Sequence, residues 1–175
     1  MKPHLLRPAE MPAIPGLRVP RDVYWILQTP APLAGMRYPD SATPWGALAE
    51  AGVQHVVCLS ADRPGYDPAP LHLLYAAALE DLYHGEPPED PQREARLIRE
   101  AVSQITSRLK EGEGVVVHCV GGTGRTGTVT GCLLRRLGFS GQEVVQYLDA
   151  LHRSRGGRGW PEAPWQAEFV ERFMK

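Results

Sequence analysis

Apolar residues fall into short blocks bounded by turn residues, and these alternate with longer stretches spaced three and four apart. Val23-Tyr24-Trp25-Ile26-Leu27 is a β-prone block of strand length. Residues 53–59 (VQHVVCL) form a second block, set between Gly52 and the loop at 60–70. Residues 71–79 form a third, in which three alanines dilute the strand character. Val115-Val116-Val117 has the unbroken apolar character of a strand buried inside a parallel sheet. The spacing predicts a helix over 41–51, with Thr43 as N-cap, Pro44 in the first turn and Gly52 closing it. Over 91–110, Ile98, Ala101, Val102, Ile105 and Leu109 recur at helical intervals, with Asp90 placed as N-cap before Pro91. Further helices are expected over 125–137, ended by Gly138, and from Ser140, whose spacing to Glu143 is that of a capping box, to about His152. Pro164 opens a last helix carrying Trp165, Phe169 and Phe173. Strands interleaved with helices predict an α/β fold, a central and mostly parallel sheet flanked by helices. Prolines at 3, 8, 12, 15 and 20 mark residues 1–20 as an extended, surface-hugging arm, leaving 21–175 as a single domain.

Composition narrows the classes of function. The 175 residues carry a net charge of −1, so no global field favours nucleic acid. Only three of the 19 basic residues are lysines, which leaves many forked guanidinium donors suited to phosphate. No apolar run approaches the ~20 residues of a membrane helix. Cys58, Cys119 and Cys132 are too few for a disulfide framework and lack metal-ligand spacing. A reducing, cytoplasmic setting and a metal-free, cofactor-free chemistry are therefore expected.

The chemistry concentrates in residues 115–127, VVVHCVGGTGRTG. A buried strand delivers Cys119 to a glycine-rich turn, and the chain then enters a helix. Successive N–H groups of such a turn, with the positive end of the helix, make an anion site. Gly121, Gly122 and Gly124 permit the close approach that a cradle requires. Arg125, at the join of loop and helix, can hold two phosphate oxygens in its fork. The same positive surroundings favour the thiolate form of Cys119. The nucleotide-binding pattern G-x-x-x-x-G-K-[ST] does not fit, because the lysine is missing and the spacing fails.

His118-Cys119-Val120-Gly121-Gly122-Thr123-Gly124-Arg125-Thr126 matches the His-Cys-x5-Arg-[Ser/Thr] motif of the protein tyrosine phosphatase superfamily. The whole chain resembles the small atypical dual-specificity phosphatases, so a cysteine phosphatase fold is implied. That resemblance implies that Cys119 attacks phosphorus to form a phosphocysteine, which water then hydrolyses. Arg125 and the amides of Val120, Gly121, Gly122, Thr123 and Gly124 would bind the phosphoryl oxygens. Thr126 would hydrogen-bond the departing thiolate, and His118 would hold the loop.

Expelling the alcohol requires a proton donor. The family places it after the strand preceding the long helix, which points to Asp81, with Asp90 the alternative if it is not simply the helix cap. Residues 162–166 carry a Glu-x3-Gln pattern, and Gln166 resembles the family's glutamine that positions water. Arg153, Arg155 and Arg158 either extend the positive field or form a solvated loop. The expected substrate is a phosphorylated protein or peptide, bound by a monomer, with neither nucleic acid nor membrane as partner. Phosphoinositides, small phosphorylated metabolites and non-catalytic phosphopeptide binding are the competing readings. A rhodanese-type sulfurtransferase fits the Thr126 hydroxyl and the acidic loop poorly.

Overall fold

The Val115–Val117 block lies in the middle strand of the molecule. The structure, a computed structural model, describes residues 1–174. Five strands form one sheet: β1 (Val23–Leu27), β2 (Leu33–Met36), β3 (Val53–Cys58), β4 (His72–Ala76) and β5 (Gly114–His118), in the order β1-β2-β5-β3-β4. Only β1 runs antiparallel to its neighbour; β5 pairs in parallel with both β2 and β3. Being covered on both faces, β5 is buried at every position, which is why its sequence reads as continuous valine. Helices α1 (Trp45–Glu50), α2 (Pro91–Lys110), α3 (Gly124–Arg136), α4 (Gly141–Ser154) and α5 (Pro164–Arg172) complete the fold. None of the described helices is long and apolar enough to cross a membrane.

The predicted caps are formed. Asp90 accepts a hydrogen bond from the Arg93 N–H at 3.0 Å, and Ser140 and Glu143 make their reciprocal capping box. Two expectations need correction. The helix expected over 41–51 begins only at Trp45, because the Thr43 hydroxyl accepts from the Asp40 N–H and the Asp40 carboxylate accepts from the Ala42 N–H. These local bonds hold 40–43 in a turn and divert Thr43 from capping. The strand β2 (LAGM) has no counterpart in the apolar pattern. Its Gly35 lies under the Tyr24 ring of β1, where an added Cβ would come within 2.2 Å of the ring. A strand residue thus takes the identity of a turn residue because its neighbour fills its space. Upstream of residue 21, Leu6, Met11 and Ile14 are buried against the core.

Candidate active site

The end of β5 and the start of α3 bracket a loop that is built from outside. Cys119 is buried at its floor, and the Thr126 hydroxyl donates to the Cys119 sulfur at 3.2 Å. The carbonyls of the loop all have donors. Those of Cys119 and Val120 accept from His118 Nδ1 (3.0 Å) and the Tyr38 N–H (2.8 Å). The Gly121 carbonyl takes Arg155 Nη2 at 3.1 Å. The Gly122 carbonyl takes the Tyr24 hydroxyl (2.6 Å) and Arg155 Nη1 (3.2 Å). Thr123 is bonded by the Gly127 N–H, and Gly124 by Trp160 Nε1 and the Thr128 hydroxyl. In a planar trans peptide the C=O and the following N–H point in opposite directions. Turning the carbonyls out therefore turns the N–H groups of 120–125 towards one centre, beside the positive end of α3.

Two glycines are required by contact. Gly122 sits at φ +78°, and an added Cβ would stand 2.5 Å from the Met36 carbonyl oxygen. At Gly124 an added Cβ would meet the Glu162 carboxylate at 1.8 Å, so that carboxylate rests directly against the loop. His118 is fully buried, and burial pushes it down to about 4 even though its bond to the Cys119 carbonyl favours the charged form. It is neutral at physiological pH, donating from Nδ1 and accepting at Nε2 from the Tyr66 hydroxyl. Its place is beneath the loop.

The opposite flank carries the carboxylates. Arg125 donates to the Leu79 carbonyl at 3.3 Å, so its guanidinium leans towards the 80–90 loop. That loop is closed at its base by Glu80, whose carboxylate accepts from the Glu89 and Asp90 N–H groups. Its tip brings Tyr83, His84 and Gly85 to a cavity of about 520 Å³ shared with Gly121, Thr123, Arg158 and Glu162. Asp81 is exposed and accepts from the Tyr83 N–H at 3.0 Å. Asp90 spends its carboxylate on capping α2, the role that its place before Pro91 predicts. The Glu162 carboxyl is raised, first by burial and then by the charge of Asp81, against the pull of Arg125 and Arg158. Gln166 is buried, and its Oε1 accepts from the Glu162 and Ala163 N–H groups at 2.8 and 3.2 Å. It holds the turn that presents Glu162.

Residues 153–158, the end of α4 and the turn after it, divide into separate roles. Arg153 pairs with Asp149 at 3.0 Å and is exposed, whereas the Arg158 guanidinium lies 4.4 Å from the centre of the Tyr83 ring at the cavity wall. Arg155 turns inward behind the 119–125 loop. Sequence reasoning gave no role to Tyr24, Tyr38, Tyr66 or Glu162, each distant in the chain from Cys119. Glu162 alone carried a signal, as the first member of the Glu-x3-Gln pattern. Among the described residues no group of His, Cys, Asp and Glu gathers into a metal-binding cluster.

This geometry, a cysteine on the floor of an amide-lined loop at a helix start, defines the cysteine phosphatase class. The chain belongs to the family described as the Swiss Army Knife protein DSP-PTPase phosphatase domain, whose model matches residues 20–164. A protein of invertebrate iridescent virus 3 named as a tyrosine phosphatase is 33% identical over 82 residues. The match covers 42% of this chain and about a third (34%) of the viral protein's length. The structure of Tk-PTP in its active form superposes with a TM-score of 0.59 at 24% identity, covering 81% of this chain and 90% of that one. Human DUSP28 gives a TM-score of 0.60 at 19% identity, covering 81% and 86%. The human tyrosine phosphatase-like serine/threonine/tyrosine-interacting protein gives 0.60 at 16%, covering 81% and 88%. These solved structures share the fold.

Proposed function

We propose that the protein is a cysteine-dependent phosphatase acting on phosphotyrosine, and also phosphoserine and phosphothreonine, in proteins or peptides. The observation that carries this reading is the Cys119 sulfur, bonded by Thr126, at the focus of loop amides whose carbonyls are all held outward. In the first step Sγ attacks phosphorus and the P–O bond to the ester breaks, its electron pair leaving on the alcohol oxygen. The Thr126 hydroxyl stabilises the same sulfur when it later leaves. The amides and Arg125 hold the equatorial oxygens in both steps, which is where most of the rate comes from.

The departing oxygen takes a proton from a carboxylic acid on the opposite flank. Glu162 has the better environment for this: its carboxyl is raised, lines the cavity and touches the loop. Asp81, the residue expected from the sequence, contributes the negative charge that helps Glu162 keep its proton. The Tyr83 ring under Arg158 forms a wall suited to an aromatic phosphoester. The uncharged Val120–Gly124 stretch offers no side-chain cation for additional phosphates, which favours a protein substrate over phosphoinositides. The free thiols suit a reducing, cytoplasmic setting.

The test is hydrolysis of p-nitrophenyl phosphate in EDTA, blocked by vanadate, and followed by a panel of phosphotyrosine, phosphoserine, phosphoinositide and sugar phosphate substrates. Cys119→Ser is expected to abolish turnover and retain oxyanion binding. An inactive wild type that still binds phosphopeptide would convert the reading to a binding module. Full loss of activity on chelation would exclude this mechanism.

A further inference from the structure

Behind the loop, on the side away from the cavity, the Arg155 guanidinium distributes its donors over two separate segments. Nε donates to the Pro20 and Arg21 carbonyls at 2.9 and 3.3 Å, and Nη2 to the Arg21 and Gly121 carbonyls at 2.9 and 3.1 Å. Nη1 reaches the Gly122 carbonyl at 3.2 Å, the Thr123 hydroxyl at 3.1 Å and His152 Nδ1 at 3.1 Å. The guanidinium also stacks 4.5 Å above the Tyr24 ring, whose hydroxyl bonds the same Gly122 carbonyl. His152 suits the role of neutral acceptor, because burial and then the Arg155 charge hold it down to about 3.

We infer that Arg155 is a positioning residue that sets the oxyanion affinity of the 119–125 loop by fixing two of its peptide planes. Gly121 and Gly122 are the adjacent glycines of this loop, so the Gly121–Gly122 and Gly122–Thr123 peptides have the least intrinsic resistance to rotation. A flip of either plane would aim a carbonyl oxygen at the bound anion in place of an N–H. Holding both carbonyls from behind prevents that flip, and anchoring the fork on Pro20 and Arg21 fixes it to the base of β1. A lysine at 155 would keep the charge but present a single nitrogen, unable to span Gly121, Gly122 and residues 20–21 together. The role thus depends on the shape of the fork and not only on its charge.

The inference rests on reading the loop as an oxyanion cradle, and it is tested on binding as well as turnover. Tungstate affinity and kcat/KM for p-nitrophenyl phosphate are measured for wild type, Arg155→Ala, Arg155→Lys and the neighbouring Arg153→Ala, at a temperature where circular dichroism shows all are folded. Arg155→Ala and Arg155→Lys are both expected to weaken tungstate binding and lower kcat/KM by about 100-fold, the scale of a displaced catalytic group. Millimolar guanidinium is expected to restore part of the loss in Arg155→Ala, a rescue that a general stability defect would not show. Arg153→Ala is expected to match wild type. If Arg155→Ala does not fold, Arg155→Lys carries the same comparison. Tungstate affinity within twofold of wild type in either folded variant overturns the inference. Full restoration by lysine also overturns it, since charge alone would then suffice. A wild type that binds tungstate but hydrolyses no ester leaves this inference standing and defeats the proposed function instead.

Discussion

The two flanks of the 119–125 loop are built in opposite ways. On the Arg155 flank the groups that touch the loop are tied down: His118 bonds Tyr66, Tyr24 bonds Gly122, and Arg155 bonds six residues around it. On the carboxylate flank Asp81 is exposed, Glu162 is half-buried with its carboxyl raised, and Arg125 reaches across to a backbone carbonyl. The difference teaches how the site divides its work. One side spends its hydrogen bonds on holding a shape, and the other keeps the raised Glu162 carboxyl at the cavity wall.

The contrast is broken most severely from the carboxylate side. The double variant Asp81→Asn, Glu162→Gln is expected to lower kcat by roughly 1000-fold for alkyl phosphates, within the range of general acid catalysis. The fall should be far smaller for p-nitrophenyl phosphate, whose leaving group needs no proton. Single variants assign the role. With alkyl substrates the wild-type rate should decline as pH rises through the raised Glu162 value, because the proton donor is then ionised. Glu162→Gln should remove that decline. If only Asp81→Asn removes it, the exposed aspartate is the acid.

Gly122→Ala attacks the shape-holding side. The alanine would need φ +78° and a Cβ 2.5 Å from the Met36 carbonyl, so the loop must shift. A fall of about 100-fold in kcat/KM is expected, together with loss of vanadate inhibition, and with no change in the pH dependence of the residual rate. A variant that keeps its vanadate affinity would show that the loop tolerates movement and that rigidity behind it is dispensable.

The same division governs what could be read from the chain. The sheet centre, the α2, α3 and α4 boundaries and the Cys119–Thr126 stretch were legible, because each is written in contiguous residues whose spacing reports a period or a turn. The brace was not. Tyr24, Tyr38, Tyr66 and the pair Arg155 and Trp160 enter from four different segments, and each has an ordinary identity for its local element. Arg155 sits among Arg153 and Arg158 in a glycine-rich stretch, where nothing in the sequence distinguishes the guanidinium that braces the loop from the solvated one. The β2 strand was hidden for a related reason, since Gly35 answers to the Tyr24 ring and not to its own backbone. Glu162 fell between the two cases: a recognisable pattern placed it near Gln166, but only the fold sets its carboxylate against Gly124.

A smaller effect sharpens the comparison at the root of the carboxylate flank. Glu94 on α2 is 2% exposed, accepts from the Glu80 N–H at 3.0 Å and lies 3.6 Å from Arg93. Burial, reinforced by the Glu80 charge, raises its carboxyl from 4.5 to about 7, against the Glu80 N–H and the charges of Arg93 and Arg125. The folded state therefore holds this proton more tightly than the unfolded chain does. The stability it contributes is complete below about pH 4.5 and is lost as pH rises through about 7. Glu94→Gln fixes the neutral form and keeps an oxygen for the Glu80 N–H, so the variant should gain on wild type as pH rises. The gap is expected to widen by on the order of 1–2 kcal/mol between pH 5 and pH 8.5, read from urea unfolding. A constant gap would mean that Glu94 stays ionised beside Arg93 and Arg125, making it an electrostatic partner of Arg125 in its own right and part of the committed side of the site.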